Sequence, residues 1–161
     1  MAARYRFRSM TTDDLPQIKR WLGLPHVREW WGDPAEQYAL VSGDLDEPAM
    51  DQFIVATADG DFGYIQCYDV TAWNSGFGTQ PAGTRGIDLF IGEPGMIAHG
   101  HGAALIRDFI DHQVARAAPR VVTDPDPANT RAVSAYEKAG FQKTHMVDMP
   151  DGAALLMIRE T

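Results

Sequence analysis

The order of apolar and polar segments predicts an α/β (α+β) fold, a mixed, mainly antiparallel sheet with helices on both faces, in a single domain over residues 1–161. Three observations carry this. Apolar or alternating runs flank short turns at Asp59-Gly60 and at Pro150-Asp151-Gly152, and both read as hairpins. A glycine turn, Gly100-His101-Gly102, opens a helical pattern of Leu105, Ile106, Phe109, Ile110 and Val114 against Arg107, Asp108, Asp111 and Arg116. After it, the β-branched run Val121-Val122-Thr123 ends at Asp124-Pro125-Asp126-Pro127, which cannot continue in a sheet.

In chain order, Tyr5, Phe7 and Met10 alternate with Arg6 and Arg8 as a first strand. Thr11 or Thr12 caps a helix through Leu15, Ile18, Trp21 and Leu22, with Asp13 and Asp14 at its positive end. Gly23 to Pro25 ends it, a short helix through Val27 and Trp30 follows, and residues 35–45 suit another. Phe53 to Ala56 and Phe62 to Ile65 form the first hairpin. Leu89-Phe90-Ile91 is a buried strand, broken by Gly92-Glu93-Pro94-Gly95. Asn129 or Thr130 caps a helix whose apolar positions are Ala132, Val133 and Tyr136, with Gly140 at its end. Residues 142–147 and 155–158 are the closing strands.

Composition narrows the function classes. The chain is 161 residues long with a net charge of −8 and close to half apolar, which fits one globular domain. The acidic balance argues against nucleic acid and suits a cationic small molecule. No apolar run approaches ~18 residues, so no membrane span is expected. The first residues show no signal peptide, and Cys67 as sole cysteine excludes an intrachain disulfide and a cysteine-based metal site. A cytoplasmic location and a monomer or weak homodimer are expected.

Several residues carry chemistry. Glycines before a helix leave backbone N–H groups bare at its positive end, so residues 98–104, with His99, Gly100, His101, Gly102 and Ala103, suit a pyrophosphate. The dinucleotide fingerprint is excluded because Leu105 stands where its third glycine would fall, and no Gly-Lys-Ser/Thr of a P-loop occurs. His99 and His101 lack a third ligand nearby, so no metal is expected. Leu89, Phe90 and Ile91 offer a strand edge that can pair with amides of an extended ligand. Asp88 stands inside the same apolar strand, where aspartate is disfavoured. The adjacent Trp30 and Trp31 point about 100° apart on a helix, so at most one packs centrally and the other suits an apolar ring or a partner. Asp124 follows a strand end and Asp151 sits in a turn, where acids are common for turn chemistry alone.

The pattern Gly-x-Gly at a helix start, then Asn129-x-x-Ala132-x-x-x-Tyr136-x-x-x-Gly140-Phe141, resembles the acetyl-CoA core of GNAT-superfamily N-acetyltransferases. Ile97 stands where the family pattern has Arg or Gln. His26-Val27-Arg28-Glu29-Trp30-Trp31-Gly32, Gly63-Tyr64-Ile65-Gln66, Arg85-Gly86-Ile87-Asp88, Thr123-Asp124-Pro125 and Pro150-Asp151-Gly152 are similar to aminoglycoside 6'-N-acetyltransferases, in the same order. Siderophore-type hydroxylysine acetyltransferases share part of this set. The aminoglycoside enzymes carry an acidic loop before the Arg-Gly-Ile-Asp strand, whereas residues 71–84 here hold no carboxylate, and Asp69 is the substitute at hand.

The resemblance implies a GNAT-like domain with residues 85–141 as the cofactor half and acetyl-CoA as co-substrate. It implies Asp88 as the acid that binds a primary amine and accepts its proton, Tyr136 as proton donor to the departing thiolate, and Asn129 as a holder of the pantetheine arm. The implied acceptor is the 6'-amine of an aminoglycoside, held by Asp88, Asp124 and Asp151 with Trp30 or Trp31. The alternatives are another small amine or hydroxylamine, such as a siderophore precursor, and a non-catalytic acyl-CoA-binding module.

Overall fold

A computed structural model describes residues 4–73, 76–150 and 152–161. The elements are β1 (Arg6–Ser9), α1 (Leu15–Leu22), α2 (Pro25–Trp31), α3 (Pro34–Gly43), β2 (Met50–Thr57), β3 (Gly60–Asp69), α4 (Val70–Trp73), β4 (Arg85–Ile91), α5 (His101–Phe109), β5 (Arg120–Thr123), α6 (Thr130–Lys138), β6 (Gln142–Met149) and β7 (Gly152–Glu160). The strands are ordered β1-β2-β3-β4-β5-β7-β6. The sheet is mainly antiparallel, with β4 and β5 parallel. Both predicted hairpins are present, as β2–β3 and β6–β7. The chain divides into two compact units, residues 1–67 with 88–98, and residues 68–87 with 99–161.

In the first unit, the alternation of β2, β3 and the end of β4 presents Ile54, Tyr64 and Phe90 to α1, α2 and α3. Those helices answer with Ile18, Trp21, Leu22, Val27 and Val41, all buried. Trp21 meets Phe90 edge-on at 6.1 Å between ring centroids. Trp21 also explains Gly92, because a Cβ there would stand 2.2 Å from its indole. The entry to α1 is a short 3₁₀ turn, Thr12–Asp14, closed by a capping box between Thr11 and Asp14. Asp14 accepts from Thr11 N at 2.9 Å and from the Arg8 guanidinium at 2.9 and 3.0 Å, and Arg8 also donates to Asp61 at 2.9 Å.

In the second unit, α5 packs on α6. The apolar side of α5, Leu105, Ile106 and Phe109, is buried. A continuous helix to Val114 is expected from the spacing, but the ladder widens into a π turn over Ile110–Val114. The end of α6 is a Schellman motif: Phe141 N donates to Tyr136 O, Gly140 N to Glu137 O, and Gly140 takes the left-handed φ of 101°. The short α4 has no counterpart in the predicted elements. Asp69 starts it by accepting from Thr71 N at 3.0 Å and Thr71 Oγ1 at 2.7 Å. The edge strand β6 is mostly exposed and carries a bulge between Lys143 and Met146, which blunts it against further pairing.

Asp14 tests the first unit. Burial raises its pKa, but the Arg8 hydrogen bond, the Thr11 backbone and the Arg8 charge outweigh this and hold it below the usual carboxylate range. A depressed folded value means stability that is complete above the unfolded value of ~3.9 and lost as pH falls through the folded one. Arg8 is half-exposed, so screening limits the pair's contribution to roughly 1–2 kcal/mol. Asp14→Asn should therefore lower Tm by several degrees at pH 7, with the gap closing below about pH 4. A gap that stays constant from pH 7 to 3 would show that charge pairing at Asp14 contributes nothing.

Candidate active site

The first unit holds the acid. Asp88 and Phe90 lie on one face of β4, with Leu89 and Ile91 on the other. Phe90 is buried, while Asp88, Leu89 and Ile91 are half-buried. The Asp88 carboxylate is therefore not the outward-facing group of a half-exposed strand: its Oδ2 accepts from Gln66 Nε2 at 3.0 Å. Beside it, Phe90 is met by Tyr64 at 5.4 Å and by the edge of Trp31 at 5.1 Å. Trp31 also meets Tyr64 at 6.1 Å. Trp30 turns the other way and is 39% exposed. The tryptophan pair thus divides as helical geometry requires, Trp31 against the core and Trp30 outward.

The end of β4 is pinned from three sides. His26 Nε2 on α2 donates to Ile91 O at 2.9 Å. Gly92 N and Glu93 N donate to Phe62 O at 2.7 and 3.1 Å. Glu93 accepts from Trp21 Nε1 at 2.9 Å and pairs with Arg20, and these two donors hold its carboxyl below the usual range.

The second unit holds the glycine turn, Asn129 and Tyr136. Gly100 caps α5 at φ 79°, a left-handed conformation, and contributes no side chain to the helix end. The first N–H groups of any α-helix point outward from its N-terminus, and here the turn that carries them holds His101, Gly102 and Ala103. His99 and Gly100 are exposed, and His101, Gly102 and Ala103 half-buried. Ala98, before them, has φ 63°, a rare conformation for a residue with a Cβ. Gly102 lies against α6: a Cβ there would stand 3.4 Å from that of Ala135, the neighbour of Tyr136. Tyr136 is 6% exposed and meets Phe141 edge-on at 5.3 Å. Asn129 caps α6 through its Oδ1, which accepts from Ala132 N at 3.2 Å, leaving its amide nitrogen as the donor.

β4 and β5 are paired at Arg85–Val121 and Gly86–Val122. β5 ends one residue later at Thr123, whose hydroxyl donates to Ile87 O at 3.0 Å. Asp124 follows directly and is half-buried. Asp151 lies outside the described residues. Asp69 is engaged with Thr71, which holds its carboxyl below the usual range. Among the described residues, no group of three or more His, Cys, Asp and Glu side chains is placed to hold a metal ion.

The structure thus brings Asp88, Phe90 and Trp31 together in one unit, and Gly102, Asn129 and Tyr136 onto two packed helices of the other. Gln52 and Gln66 are not among the expected site residues. Their signal was a glutamine at a core-facing position of an apolar strand, Gln52 two residues before Ile54 and Gln66 two after Tyr64.

Comparison with known proteins accounts for this arrangement. Residues 10–149 match the model of the acetyltransferase (GNAT) domain. The chain is 34% identical to the aminoglycoside N(6')-acetyltransferase type 1 of Klebsiella pneumoniae, over 94% of this chain and 81% of that protein. It is 37% identical to a kanamycin resistance protein of Rhizobium radiobacter, over 50% of this chain and 75% of that one. Among solved structures, the aminoglycoside acetyltransferase AAC(6')-Ib in complex with coenzyme A and kanamycin superposes with a TM-score of 0.85 at 28% identity, covering 97% of this chain and 94% of the other. The seven-stranded sheet, the uncapped glycine turn and these similarities agree, and the chain belongs to the GNAT acetyltransferase family.

Proposed function

We propose that this acetyltransferase transfers an acetyl group from acetyl-CoA to a primary amine of a polycationic small molecule, the 6'-amine of an aminoglycoside. The observation that carries the reading is the half-buried Asp88, held by a hydrogen bond on the strand of a GNAT acetyltransferase whose relatives are aminoglycoside N(6')-acetyltransferases. The net charge of −8 supports a cationic acceptor. A cytoplasmic enzyme fits this substrate.

The cofactor residues are those of the glycine turn and the strand. N–H groups of residues 98–104 receive the pyrophosphate, with the polar His99 and His101 beside it. Leu89 to Ile91 offer backbone groups of the strand to the pantetheine amides. Asn129 contributes its amide nitrogen. Acetyl-CoA supplies the activated acyl group as a thioester. Asp88 binds the acceptor's ammonium and takes its proton, and Tyr136 returns a proton to the departing thiolate. Tyr136 is buried on α6, and a phenol donates its proton effectively only when placed close to the acceptor. Asp124 and Asp151 bind further ammonium groups, and the exposed Trp30 covers an apolar ring face.

Three measurements test this. Thiol release from acetyl-CoA should require an aminoglycoside: kanamycin or tobramycin should support turnover, hydroxylysine should not, and Asp88→Asn should lower kcat/KM by roughly 10²-fold or more. Turnover with hydroxylysine alone would assign the enzyme to the siderophore-type acceptors, and an active Asp88→Asn enzyme would remove the acid.

Gly102 reports the cofactor site. Alanine fits there in ordinary contact with Ala135, whereas the branched side chain of valine must displace α6. Calorimetry should give near wild-type acetyl-CoA affinity for Gly102→Ala and a loss of about tenfold or more for Gly102→Val. Equal affinity in all three proteins would argue against the placement.

The acceptor site should also depend on salt. Each exposed ammonium–carboxylate contact contributes about 1 kcal/mol or less, so several are needed and all are screened. KM for tobramycin should rise with ionic strength, and rise at fixed salt in Asp124→Asn and Asp151→Asn. A salt-independent KM with both variants like wild type would leave those acids as turn residues only.

A further inference from the structure

Three strands and one helix bring a line of polar groups to Asp88. Gln52 on β2 is 8% exposed, and its Nε2 donates to Val41 O of α3 at 2.8 Å and to the Tyr64 oxygen at 3.1 Å. Tyr64 on β3 is fully buried, and its hydroxyl donates to Gln66 Oε1 at 2.8 Å. Gln66 Nε2 then donates to Asp88 Oδ2 on β4 at 3.0 Å.

The direction of every bond is dictated from the inner end. A backbone carbonyl only accepts, so Val41 makes Gln52 present its amide nitrogen. That nitrogen occupies the Tyr64 oxygen. Burial drives the Tyr64 phenol above its ordinary pKa range; Gln52 opposes this, while the charges of Asp44 and Asp88 add to it. The phenol therefore keeps its proton and gives it to Gln66 Oε1. With Oε1 taken, Gln66 has its NH₂ left for Asp88, which must receive it as an acceptor. Reversing the Gln66 amide would set two acceptors against each other at Asp88 and take from the buried Tyr64 O–H the acceptor it uses.

A strand face needing only stability would fill these positions with apolar side chains of similar shape, at little or no cost. We infer that Gln52 and Tyr64 are positioning residues which, through Gln66, hold the Asp88 carboxylate ionised and in one orientation, resting on the assignment of Asp88 as the proton-accepting acid. Neither touches the acceptor in this scheme. Their effect passes through the fixed amide of Gln66, and removing the Tyr64 hydroxyl leaves that amide without its anchor on the Oε1 side, so that it and the carboxylate it donates to can shift.

The test compares Tyr64→Phe in the wild-type and Asp88→Asn backgrounds. Phenylalanine keeps the ring that packs on Phe90 and Trp31. Tyr64→Phe should lower kcat by about tenfold with KM for acetyl-CoA unchanged, and should change the residual rate of Asp88→Asn by less than twofold. Gln52→Met, measured in the same two backgrounds, should repeat the pattern and serves if the first variant does not fold. An equal loss in both backgrounds would mean that the line acts on the fold and not on Asp88. A wild-type kcat in Tyr64→Phe would overturn the inference directly. Wild-type activity in Asp88→Asn alone would overturn the assignment of the acid, and the positioning role with it; Asp88→Asn loss beside intact Tyr64→Phe and Gln52→Met enzymes would overturn the positioning role alone.

Discussion

Asp88 shares a strand face with Phe90, and Phe90 is buried among Trp21, Trp31 and Tyr64. One short strand must therefore serve an aromatic core and a carboxylate two residues apart. A carboxylate at the border of such a core is costly unless hydrogen bonds replace lost water. Gln66 provides one, and Tyr64 belongs to the core and to the polar line at once, ring toward Phe90 and hydroxyl toward Gln66. The strand itself is held at its far end, where Gly92 fits under Trp21, Phe62 takes two backbone donors and His26 grips Ile91. An acid on β4 has a defined position because both the strand and the carboxylate are restrained.

The parts legible in the sequence are those written in local chemistry. Asp59-Gly60 announces its hairpin, and Asn129 and Gly140 mark the ends of α6 by the cap geometries they adopt. The glycine turn before α5 was visible for the same reason. What sequence could not show is how distant strands line up. Gln52, Tyr64 and Gln66 meet only through the pairing of β2 with β3, and nothing local to Asp88 names its donor. Helical geometry separated Trp30 from Trp31, but which one faces the core depends on where α2 rests. Asp69 is the acid nearest the loop without carboxylates, and no local signal shows that its carboxylate starts α4.

The second unit uses opposite devices at its two helix starts. Asn129 places a side-chain oxygen on Ala132 N and so satisfies one of the orphan donors of α6. Gly100 at the start of α5 brings no side chain. Its left-handed φ turns the chain sharply into the helix without a side-chain cap. Ala98 adopts a left-handed conformation two residues earlier without the freedom of glycine. A helix start that forgoes a side-chain cap gives up stability locally.

The carboxylates of the first unit are stabilised in two different ways. Asp14 is paired with Arg8 and Glu93 with Arg20, both cationic partners that cancel charge where only structure is served. One hydrogen bond at Asp88 comes from the Gln66 amide, which donates a proton without bringing a charge. A guanidinium in the place of Gln66 would hold the carboxylate more firmly, but it would compete for the same oxygens with the ammonium group that the proposed function brings there. A neutral donor adds a hydrogen bond without adding charge. Its weakness is that an amide has two ends, one of which repels a carboxylate. The buried phenol of Tyr64, itself turned by Gln52, removes that ambiguity by occupying the wrong end.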